Sequence, residues 1–371
     1  MGKVLVIGHG RSGTAAASLA GELGDTVEFA DGIDLAVASP GVRVMSELEY
    51  GCRELKKRGW RLLAVTGSKG KSSVVKAVAD AINLAGGFAV PCGNYGRPVS
   101  YVALAAEPAG WAVVEVSSFM LETTSLPPGF FEAAAILNLQ EDHLDRHGDV
   151  AAYHALKLRL WTMAKVRVGL NEPCDVDPAL LAGSYFDNPV LRANGLAAAA
   201  LMRVAGLDDA AVSRAFAAFE PLPHRMAKVA EINGVEYVDD SKATSISALA
   251  AGVEMAGERV EGGPKVRLVA GGLPKGDDPK NALPILTKWV KKVYLIGHNA
   301  ESLFFAWSKV VDCEVCGTLE KAVERARREA VNGEMVLLSP GAASFDQFKS
   351  FEERGEVFAQ LVKGQGKQKH E

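Results

Sequence analysis

The sequence lacks the features that mark membrane, secreted or nucleic-acid-binding proteins. Its 371 residues contain no apolar run long enough to cross a bilayer, and Met1-Gly2-Lys3-Val4 leads into an apolar strand without a leader or lipidation pattern. The net charge of −4 supplies no basic excess of the kind that nucleic-acid binding needs. We therefore expect a cytoplasmic protein that binds neither membranes nor nucleic acid.

Cysteine is also scarce. The five cysteines stand at positions 52, 92, 174, 313 and 316, an odd and scattered set that favours a reducing compartment over a disulfide framework. Cys313-Glu-Val-Cys316 is a CxxC pair, a pattern found in zinc and redox sites. No second CxxC or histidine pair accompanies it, and it lies in a predicted strand, so we do not expect a metal there.

Repeats and low-complexity segments are absent, and strand and helix patterns alternate from residue 62 onward. Such alternation predicts an α/β fold with parallel sheets covered on both faces. The length suits two or three domains. We predict three: a shortened Rossmann-like domain over residues 1–60, a central P-loop-type domain over 61–221, and a C-terminal Rossmann-like domain over 222–371, with Pro221-Leu-Pro223 at the second boundary.

The most informative stretch is the apolar run Leu62–Thr66, followed by Gly67-Ser-Lys-Gly70 and then Lys71, Ser72 and Ser73 at the start of a helical pattern. A strand, a glycine-rich turn and a helix start gather backbone N–H groups that suit a phosphate. Lys71 would add a positive charge, and the Ser72 hydroxyl could bind Mg2+. Because Val65 replaces the first glycine of the full P-loop pattern, an ordinary glycine-rich turn with a surface lysine remains the alternative.

Three further residues on this half could take part in chemistry. Glu115 ends a predicted strand, where it could hold Mg2+ or cap the next helix. His143 stands among Glu141, Asp142 and Asp145, a group that suits either an ion site or a solvated acidic turn. Lys157 lies in a helical pattern and by pattern alone is a solvated lysine.

The first glycine cluster, residues 8–13, matches GxGxxG after a strand, and Asp31 closes the next strand, as in dinucleotide sites. The unit is too short for a complete dinucleotide domain, because the Gly67 turn follows so soon. A small domain that binds one nucleotide is the better interpretation, and residues 35–39 form its next predicted strand. A NAD-dependent dehydrogenase is the alternative from this motif alone.

The C-terminal half places polar loops after three predicted strands. Asp240-Ser-Lys-Ala-Thr244 follows the first, the loop with Lys275 and Asp277 follows the second, and the segment from Ser339 through Ser344 and Phe345 follows the third. Loops after parallel strands share one edge of the sheet. These three predict a second binding surface, although helix capping could explain the hydroxyls of the first.

Four strings resemble the ATP-dependent Mur ligases of peptidoglycan synthesis, and within them the D-glutamate-adding branch. They are Asp240–Thr244, residues 343–355 (ASFDQFKSFEERG), Asn138–Arg146 and Glu115–Glu122. The resemblance runs over nearly the whole chain. It implies a three-domain amide ligase that binds a uridine nucleotide, ATP and an amino acid in turn.

The resemblance also implies roles for individual residues. ATP contacts are implied for Gly67, Gly70, Lys71, Ser72, Ser73, Asn194, Arg225, Asp240 and Lys242. Two Mg2+ ions are implied at Ser72, Glu115, His143 and a carbamylated Lys157, so that Lys71, Glu115, His143 and Lys157 form the catalytic set. Substrate contacts are implied for Ser12, Asp31, Ser39, Asn94, Thr244, Lys275, Ser344 and Phe345.

The implied reaction joins UDP-N-acetylmuramoyl-L-alanine to D-glutamate through an acyl phosphate, with ATP converted to ADP, by a monomeric enzyme. The sequence departs from the family in its short first domain, in Gly32 where a threonine is common, and at Leu191, which replaces one of two adenine-side asparagines. A sister ligase, including the folate polyglutamate branch, and a non-catalytic nucleotide-binding regulator remain alternatives.

Overall fold

The computed structural model describes residues 3–8, 10–30, 44–105, 107–140, 144–170, 172, 175–260 and 262–364. Three predicted site residues, Asp31, Ser39 and His143, lie outside the described residues, as does the predicted strand at 35–39. The chain forms two compact units, Met1–Glu220 and Pro221–Glu371. The division of the first unit into two domains therefore stays a prediction.

The first unit contains a two-stranded and a five-stranded sheet, both parallel. Its strands are β1 Lys3–Ile7, β2 Thr26–Ala30, β3 Arg61–Thr66, β4 Ala89–Gly93, β5 Trp111–Glu115, β6 Phe131–Ile136 and β7 Ala164–Gly169. Its helices are α1 Arg11–Glu22, α2 Glu47–Lys57, α3 Lys71–Leu84, α4 Val99–Leu104, α5 Ser118–Glu122, α6 Leu144–His147, α7 Val150–Thr162, α8 Arg192–Val204 and α9 Asp209–Ala217, with a 3-10 turn at Pro178–Leu181. The large sheet has the order β4-β5-β3-β6-β7, so β3 is central.

Both faces of the large sheet are covered. Leu63 and Val65 of β3 pack into a core with helices α3, α8 and α9, whereas Leu62 and Ala64 pack into a second core on the opposite face. The second core also contains Leu48 and other residues of α2, so this helix packs against the large sheet. A strand buried on both faces reads as a continuous apolar run, which is why β3 was identifiable from sequence.

The second unit has one six-stranded sheet of order β12-β11-β10-β13-β9-β8. Its strands are β8 Ala227–Ile232, β9 Val235–Asp239, β10 Val266–Gly271, β11 Val290–Ile296, β12 Asp312–Gly317 and β13 Met335–Leu338. Its helices are α10 Ile246–Gly257, α11 Leu283–Trp289, α12 Ala300–Trp307, α13 Leu319–Glu329 and α14 Phe351–Val362, with a 3-10 turn at Pro279–Ala282. These elements confirm the predicted α/β class.

One strand pair in the second unit is antiparallel. β8 and β9 form a hairpin whose turn residues, Asn233 and Gly234, have φ angles of 53° and 73°. Asn-Gly is the preferred pair for a two-residue hairpin turn in which both residues have positive φ. The strands were predicted at these positions, but the hairpin between them was not.

The CxxC pair lies in a strand, as predicted, and that strand is β12 at the edge of the sheet. Cys313 packs against the core on one face of the sheet and Cys316 against the core on the other face. Alternate faces follow from the two-residue period of a strand, because these residues are three positions apart. The two thiols therefore do not converge on one metal. Among the described residues, no helix is long and apolar enough to span a membrane.

Candidate active site

The turn between β3 and α3 follows the central strand of the large sheet. Gly70 caps α3 in the left-handed conformation, with φ 83° and ψ −11°, and Lys71 begins the helix. A Cβ atom on Gly70 would lie 2.3 Å from Nδ2 of Asn194 on α8. Both the backbone conformation and the close packing therefore require glycine. The first turn of α3 directs its N–H groups and positive helix end toward this loop, an arrangement that suits an anion.

Lys71 folds back over the turn. Its Nζ donates to the carbonyl oxygens of Gly67, at 2.9 Å, and of Ser68, at 3.1 Å. Carbonyl oxygens carry only partial negative charge, so phosphate oxygens would be stronger acceptors for the same ammonium group. The predicted surface-lysine alternative does not describe this residue, which is partly buried against the loop it follows.

The loop after β6 holds the turn from its other side. The Lys69 N–H donates to Asn138 Oδ1 at 2.8 Å, and Asn138 Nδ2 donates to the Lys69 carbonyl at 3.0 Å. Ser68 Oγ donates to the Gln140 carbonyl at 2.9 Å. β6 ends at Ile136. Beyond this residue the chain leaves the sheet and contacts the turn. Asn138 thereby positions the turn, a role that the sequence pattern did not reveal.

Glu115 is the last residue of β5, at the same sheet edge as the turn, and is paired in register with Val65. The residue is 1% exposed. Oε1 accepts a hydrogen bond of 2.7 Å from Asn94 Nδ2, whereas Oε2 is buried and has no hydrogen-bond partner among the residues that the structure describes. The alternative that Glu115 caps the next helix is wrong, because Ser117 caps α5 by accepting from the Met120 N–H.

The unpartnered Oε2 of Glu115 indicates what this site can hold. Burying a carboxylate oxygen without a partner is costly, and a bound cation would remove that cost. Within the described part of the chain, no three His, Cys, Asp or Glu side chains gather into a metal site. Mg2+ fits such a sparse set, because it binds one or two carboxylates and takes its remaining ligands from phosphates and water. Ser72, in the first turn of α3, could supply a hydroxyl.

Lys157 is buried rather than solvated. The residue is 1% exposed, and its Nζ donates to the Gly67 carbonyl at 3.0 Å and lies 4.7 Å from the centre of the Tyr153 ring. The Gly67 carbonyl therefore accepts from both Lys71 and Lys157. Tyr153, Lys157 and Leu160 form the buried stripe of α7 at helical spacing. The spacing is visible in the sequence, but the sequence does not show that this face of the helix is the buried one.

The predicted nucleotide contacts at the start of the chain are partly described. Ser12 lies in the first turn of α1, and its neighbour Arg11 donates from Nη2 to the Gly96 carbonyl at 3.3 Å. The loop of Gly96 also carries Asn94. The structure thus brings Ser12 and Asn94 to neighbouring segments. Asn194, whose predicted contact is with adenine, is 6% exposed and lies against Gly70 of the turn.

In the second unit, Asp240 follows β9 and is 8% exposed. Oδ2 accepts from Ser339 Oγ at 2.9 Å, and Oδ1 accepts from the Met226 N–H at 3.3 Å. Burial raises the pKa of Asp240 to about 7, although both hydrogen bonds and the charge of Arg225 oppose the rise. The carboxylate is therefore engaged inside its own unit.

The three predicted loops of the second unit do meet. Lys275 Nζ, from the loop after β10, donates to Thr244 Oγ1 at 3.0 Å, and Asp277 Oδ2 accepts from the Ile246 N–H at 2.9 Å. Leu273 pairs with Ala343 of the loop after β13. Lys275 is exposed, so its ammonium group can also reach a bound acid.

Residues near these loops differ in exposure. Ser344 is 2% exposed and Phe345 is 70% exposed, so the two neighbours occupy very different surroundings. Lys242 Nζ lies 3.8 Å from the centre of the Phe351 ring. Phe351 begins α14 and was not singled out from sequence, although it belongs to the string that carries the family resemblance.

Arg354, also missed as an individual residue, joins two of the loops. It is 1% exposed and donates from Nε and Nη2 to the Oγ and carbonyl of Ser241, at 2.9 and 2.8 Å, and from Nη1 to the Ala342 carbonyl at 3.1 Å. Burial lowers its pKa to about 10. The side chain still carries its charge at neutral pH and ties the loop after β9 to the loop after β13.

Comparison with known proteins identifies the family. Residues 65–170 match the family model described as the Mur ligase middle domain, and residues 224–342 match the one described as the Mur ligase, glutamate ligase domain. The first of these matches includes the turn, Glu115 and Lys157. The second includes Arg225, Asp240 and Lys275.

Several relatives share the name UDP-N-acetylmuramoylalanine--D-glutamate ligase. The protein of Hahella chejuensis is 34% identical over 89% of this chain and 81% of its own, and that of Rubrobacter xylanophilus is 37% identical over 93% and 88%. A MurF ligase of Thermotoga maritima, solved in complex with ADP, has a TM-score of 0.65 at 16% identity and covers 98% of this chain and 94% of its own. That likeness shows the fold. The chain belongs to the Mur ligase family.

Proposed function

We propose that the protein is an ATP-dependent ligase that adds D-glutamate to UDP-N-acetylmuramoyl-L-alanine in peptidoglycan precursor synthesis. The relatives of that name, at 32% to 37% identity over most of the chain, support the choice of substrates. The observation that carries the use of ATP is the turn of Gly67–Ser73 with Lys71 above it and buried Glu115 beside it.

The chemistry explains why a nucleotide is needed, since a carboxylate is a poor acyl donor. In the proposed reaction, a carboxylate oxygen of UDP-N-acetylmuramoyl-L-alanine attacks the γ-phosphorus of ATP, and ADP leaves. The resulting acyl phosphate is attacked at its carbonyl carbon by the D-glutamate amine. The amide bond forms, phosphate leaves and the amine loses a proton.

The turn has a direct part in the first step. Backbone N–H groups at the start of α3 would hold the phosphate oxygens, and Lys71 Nζ would exchange two carbonyl contacts for phosphate contacts. Donors that are already oriented stabilise the charge of a transferring phosphoryl group without reorganising. Gly67 and Gly70 allow that approach because neither carries a side chain.

The metal site would be built from Ser72 and Glu115, with His143 and Lys157 assigned by resemblance. Mg2+ bound there would neutralise negative charge on the phosphate oxygens. We propose two ions. The buried Oε2 of Glu115, which has no partner within the described part of the chain, supports a cation at this edge of the sheet.

We also propose that Lys157 is carbamylated. Its neutral amine would attack CO2, form an N–C bond and release one proton to solvent, which turns a cation into a carboxylate-like group. Burial of Lys157 beside the Gly67 carbonyl supports a role at the phosphate site rather than in solvent. Lys157→Ala should lose turnover and regain part of it with added acetate or propionate, whereas exposed Lys165→Ala should keep full turnover. No rescue by short carboxylates would contradict the carbamate.

The amino acid and the sugar nucleotide would be held by residues on different loops. Thr244 and Lys275, already joined by a hydrogen bond, suit a carboxylate of D-glutamate, with Ser344 and Phe345 nearby in the chain's third loop. Ser12 and Asn94, with Asp31 and Ser39, would contact the uridine nucleotide. Asn194, Arg225, Asp240 and Lys242 would contribute to the ATP site. We further propose that the protein is cytoplasmic and monomeric. Light scattering of the purified protein would test whether it is a monomer.

The deciding experiment measures phosphate release with ATP, UDP-N-acetylmuramoyl-L-alanine and D-glutamate, each omitted in turn. We expect release only when all three are present, with the amide product identified by mass. Lys71→Ala should abolish release in a folded protein, whereas Lys76→Ala, on the same helix but paired with Asp80, should not. Release with another amino acid instead of D-glutamate would favour a sister ligase. No release with any amino acid would favour a non-catalytic nucleotide-binding protein.

A further inference from the structure

The segment 224–226 has an unfavourable backbone on both sides of Arg225. His224 and Met226 have φ angles of 59° and 51°. Left-handed backbone is uncommon for residues other than glycine; asparagine, aspartate and histidine adopt it more often than the rest, and methionine is not among these. It persists only where surrounding contacts hold it, and such places are concentrated at functional sites.

Two successive buried carboxylates hold this segment. His224 Nδ1 and Asp239 Oδ2 are joined by a hydrogen bond of 2.6 Å, and Asp240 Oδ1 accepts from the Met226 N–H at 3.3 Å. The Lys242 N–H donates to the His224 carbonyl at 3.0 Å. The end of β9 thus grips the residue on each side of Arg225.

The space for the His224–Asp239 pair is created by helix α14. A Cβ atom on Gly355 would lie 2.1 Å from His224 Nδ1 and 2.6 Å from Asp239 Oδ2. Asp239 is 3% exposed, and its Oδ1 accepts from the Ser241 N–H at 2.9 Å. Both oxygens of this carboxylate are therefore used, one for the imidazole and one for the loop that follows β9.

We propose that His224 is a positioning residue: through its pair with Asp239 it holds the 224–226 segment so that Arg225 is presented to the phosphates of the bound nucleotide. This inference rests on the proposed function, which assigns Arg225 to ATP. His224 acts through Arg225 and does not touch the nucleotide itself. Loss of the pair keeps the Arg225 side chain but lets the 224–226 segment move. We therefore expect a lower affinity for the nucleotide.

His224→Gly tests this role, because glycine adopts the left-handed backbone readily, so that the pair with Asp239 and the ring contact with Phe351 are lost without backbone strain. We expect the KM for ATP to rise about tenfold, as for loss of an ordered charge-assisted contact, with kcat changed less than about threefold. The KM for D-glutamate should stay unchanged. An unchanged KM for ATP in the folded variant would overturn the proposal, since the imidazole would then add nothing beyond a permissive backbone.

Three further variants keep the test decisive if His224→Gly does not fold. Gly355→Ala should raise the KM for ATP in the same way, because its methyl group enters the space of the pair, while Glu356→Ala at the neighbouring exposed position of α14 should not. Asp239→Asn can still hydrogen-bond the imidazole and should keep most of the nucleotide affinity. Equal KM values for Gly355→Ala and Glu356→Ala would contradict the proposal.

Arg225→Ala separates this inference from the proposed function. A raised KM for ATP in Arg225→Ala but not in His224→Gly would refute the positioning role of His224 and leave the assignment of Arg225 to ATP standing. An unchanged KM for ATP in Arg225→Ala would show that Arg225 does not contact the nucleotide, and both the assignment of Arg225 and the inference would then be wrong.

Discussion

Two glycines at opposite ends of α3 allow the packing of the phosphate turn to be measured. Gly70 precedes the helix and Gly86 follows it, and both have a φ of 83°. A Cβ atom on Gly70 would lie 2.3 Å from Asn194 Nδ2, whereas one on Gly86 would meet nothing within 4 Å. Gly70→Ala and Gly86→Ala therefore carry the same backbone penalty but differ in steric cost.

The expected magnitudes follow from these two costs. An alanine in left-handed backbone loses about 1–2 kcal/mol of unfolding free energy, and this is the whole effect expected for Gly86→Ala. Gly70→Ala must also displace the amide of Asn194, which is 6% exposed and packed, and overpacking of this kind adds about 1–3 kcal/mol. We expect a total loss of about 2–5 kcal/mol for Gly70→Ala.

Hydrogen exchange of amides in β3 and α3, followed by mass spectrometry, would report the opening free energy of this unit. Calorimetry with MgATP would report affinity, which should fall at least tenfold in Gly70→Ala and stay unchanged in Gly86→Ala. In an Asn194→Ala background the two glycine variants should cost nearly the same. Equal losses for both variants in the wild-type background would refute the close packing of Asn194 on the turn.

Three further predictions follow from the site. Glu115→Gln should keep the contact with Asn94 but weaken Mn2+ binding at least tenfold, as measured by electron paramagnetic resonance. The matched control, surface Glu107→Gln, should leave Mn2+ binding unchanged. Equal affinities of the two variants would contradict a metal at Glu115. Asp240 binds its proton more tightly when folded, with a pKa of about 7 against an ordinary 3.8, so the stability it contributes at low pH is lost as pH rises through 7. The loss amounts to up to roughly 4 kcal/mol, and Asp240→Asn should abolish it. The free energy of unfolding of this variant should therefore depend less steeply on pH between 4 and 8. An unchanged slope would contradict the prediction. Asn138→Ala should weaken MgATP binding about tenfold, because the turn loses both of its hydrogen bonds to this side chain. Asn83→Ala removes the same kind of paired contact, with Ala89, and should leave MgATP binding unchanged. Equal affinities of the two variants would refute the role of Asn138.

Local sequence predicted the elements that depend on local physics. β3 was identifiable because a doubly covered strand is uniformly apolar, and α3 because glycines and a lysine precede an apolar helical pattern. Glu115 was predicted at a strand end for the same reason, since it is the first charged residue after an apolar run. Each of these signals lies within about a dozen residues, the range in which periodicity is informative.

Contacts between distant segments were not predictable in this way. Asn138 grips Lys69 across 69 positions, and Lys157 reaches Gly67 across 90. Nothing in the local pattern distinguishes this lysine from a solvated one, because its burial depends on which face of α7 meets the sheet. The family resemblance implied a role for Lys157, but only the fold shows that it shares the Gly67 carbonyl with Lys71.

The hydrogen-bonded pair of His224 and Asp239 illustrates the same limit to local reasoning. The string Asp239-Asp240 reads as two acids at a strand end, and helix capping or metal binding would both explain it. The structure gives each carboxylate a different partner on one short segment, Oδ2 of Asp239 on His224 and Oδ1 of Asp240 on Met226. This arrangement depends on Gly355, more than a hundred positions later in the chain.

The central claim is that the turn of Gly67–Ser73 holds a triphosphate whose metal ion is bound by Glu115. Its most direct test is a crystal structure with a non-hydrolysable ATP analogue and Mn2+, in which the anomalous signal locates the metal. The account predicts phosphate density at the start of α3, Lys71 turned from the carbonyls of Gly67 and Ser68 to the phosphates, and an anomalous peak in contact with Oε2 of Glu115. Nucleotide bound elsewhere, with Lys71 still on those carbonyls, would contradict it.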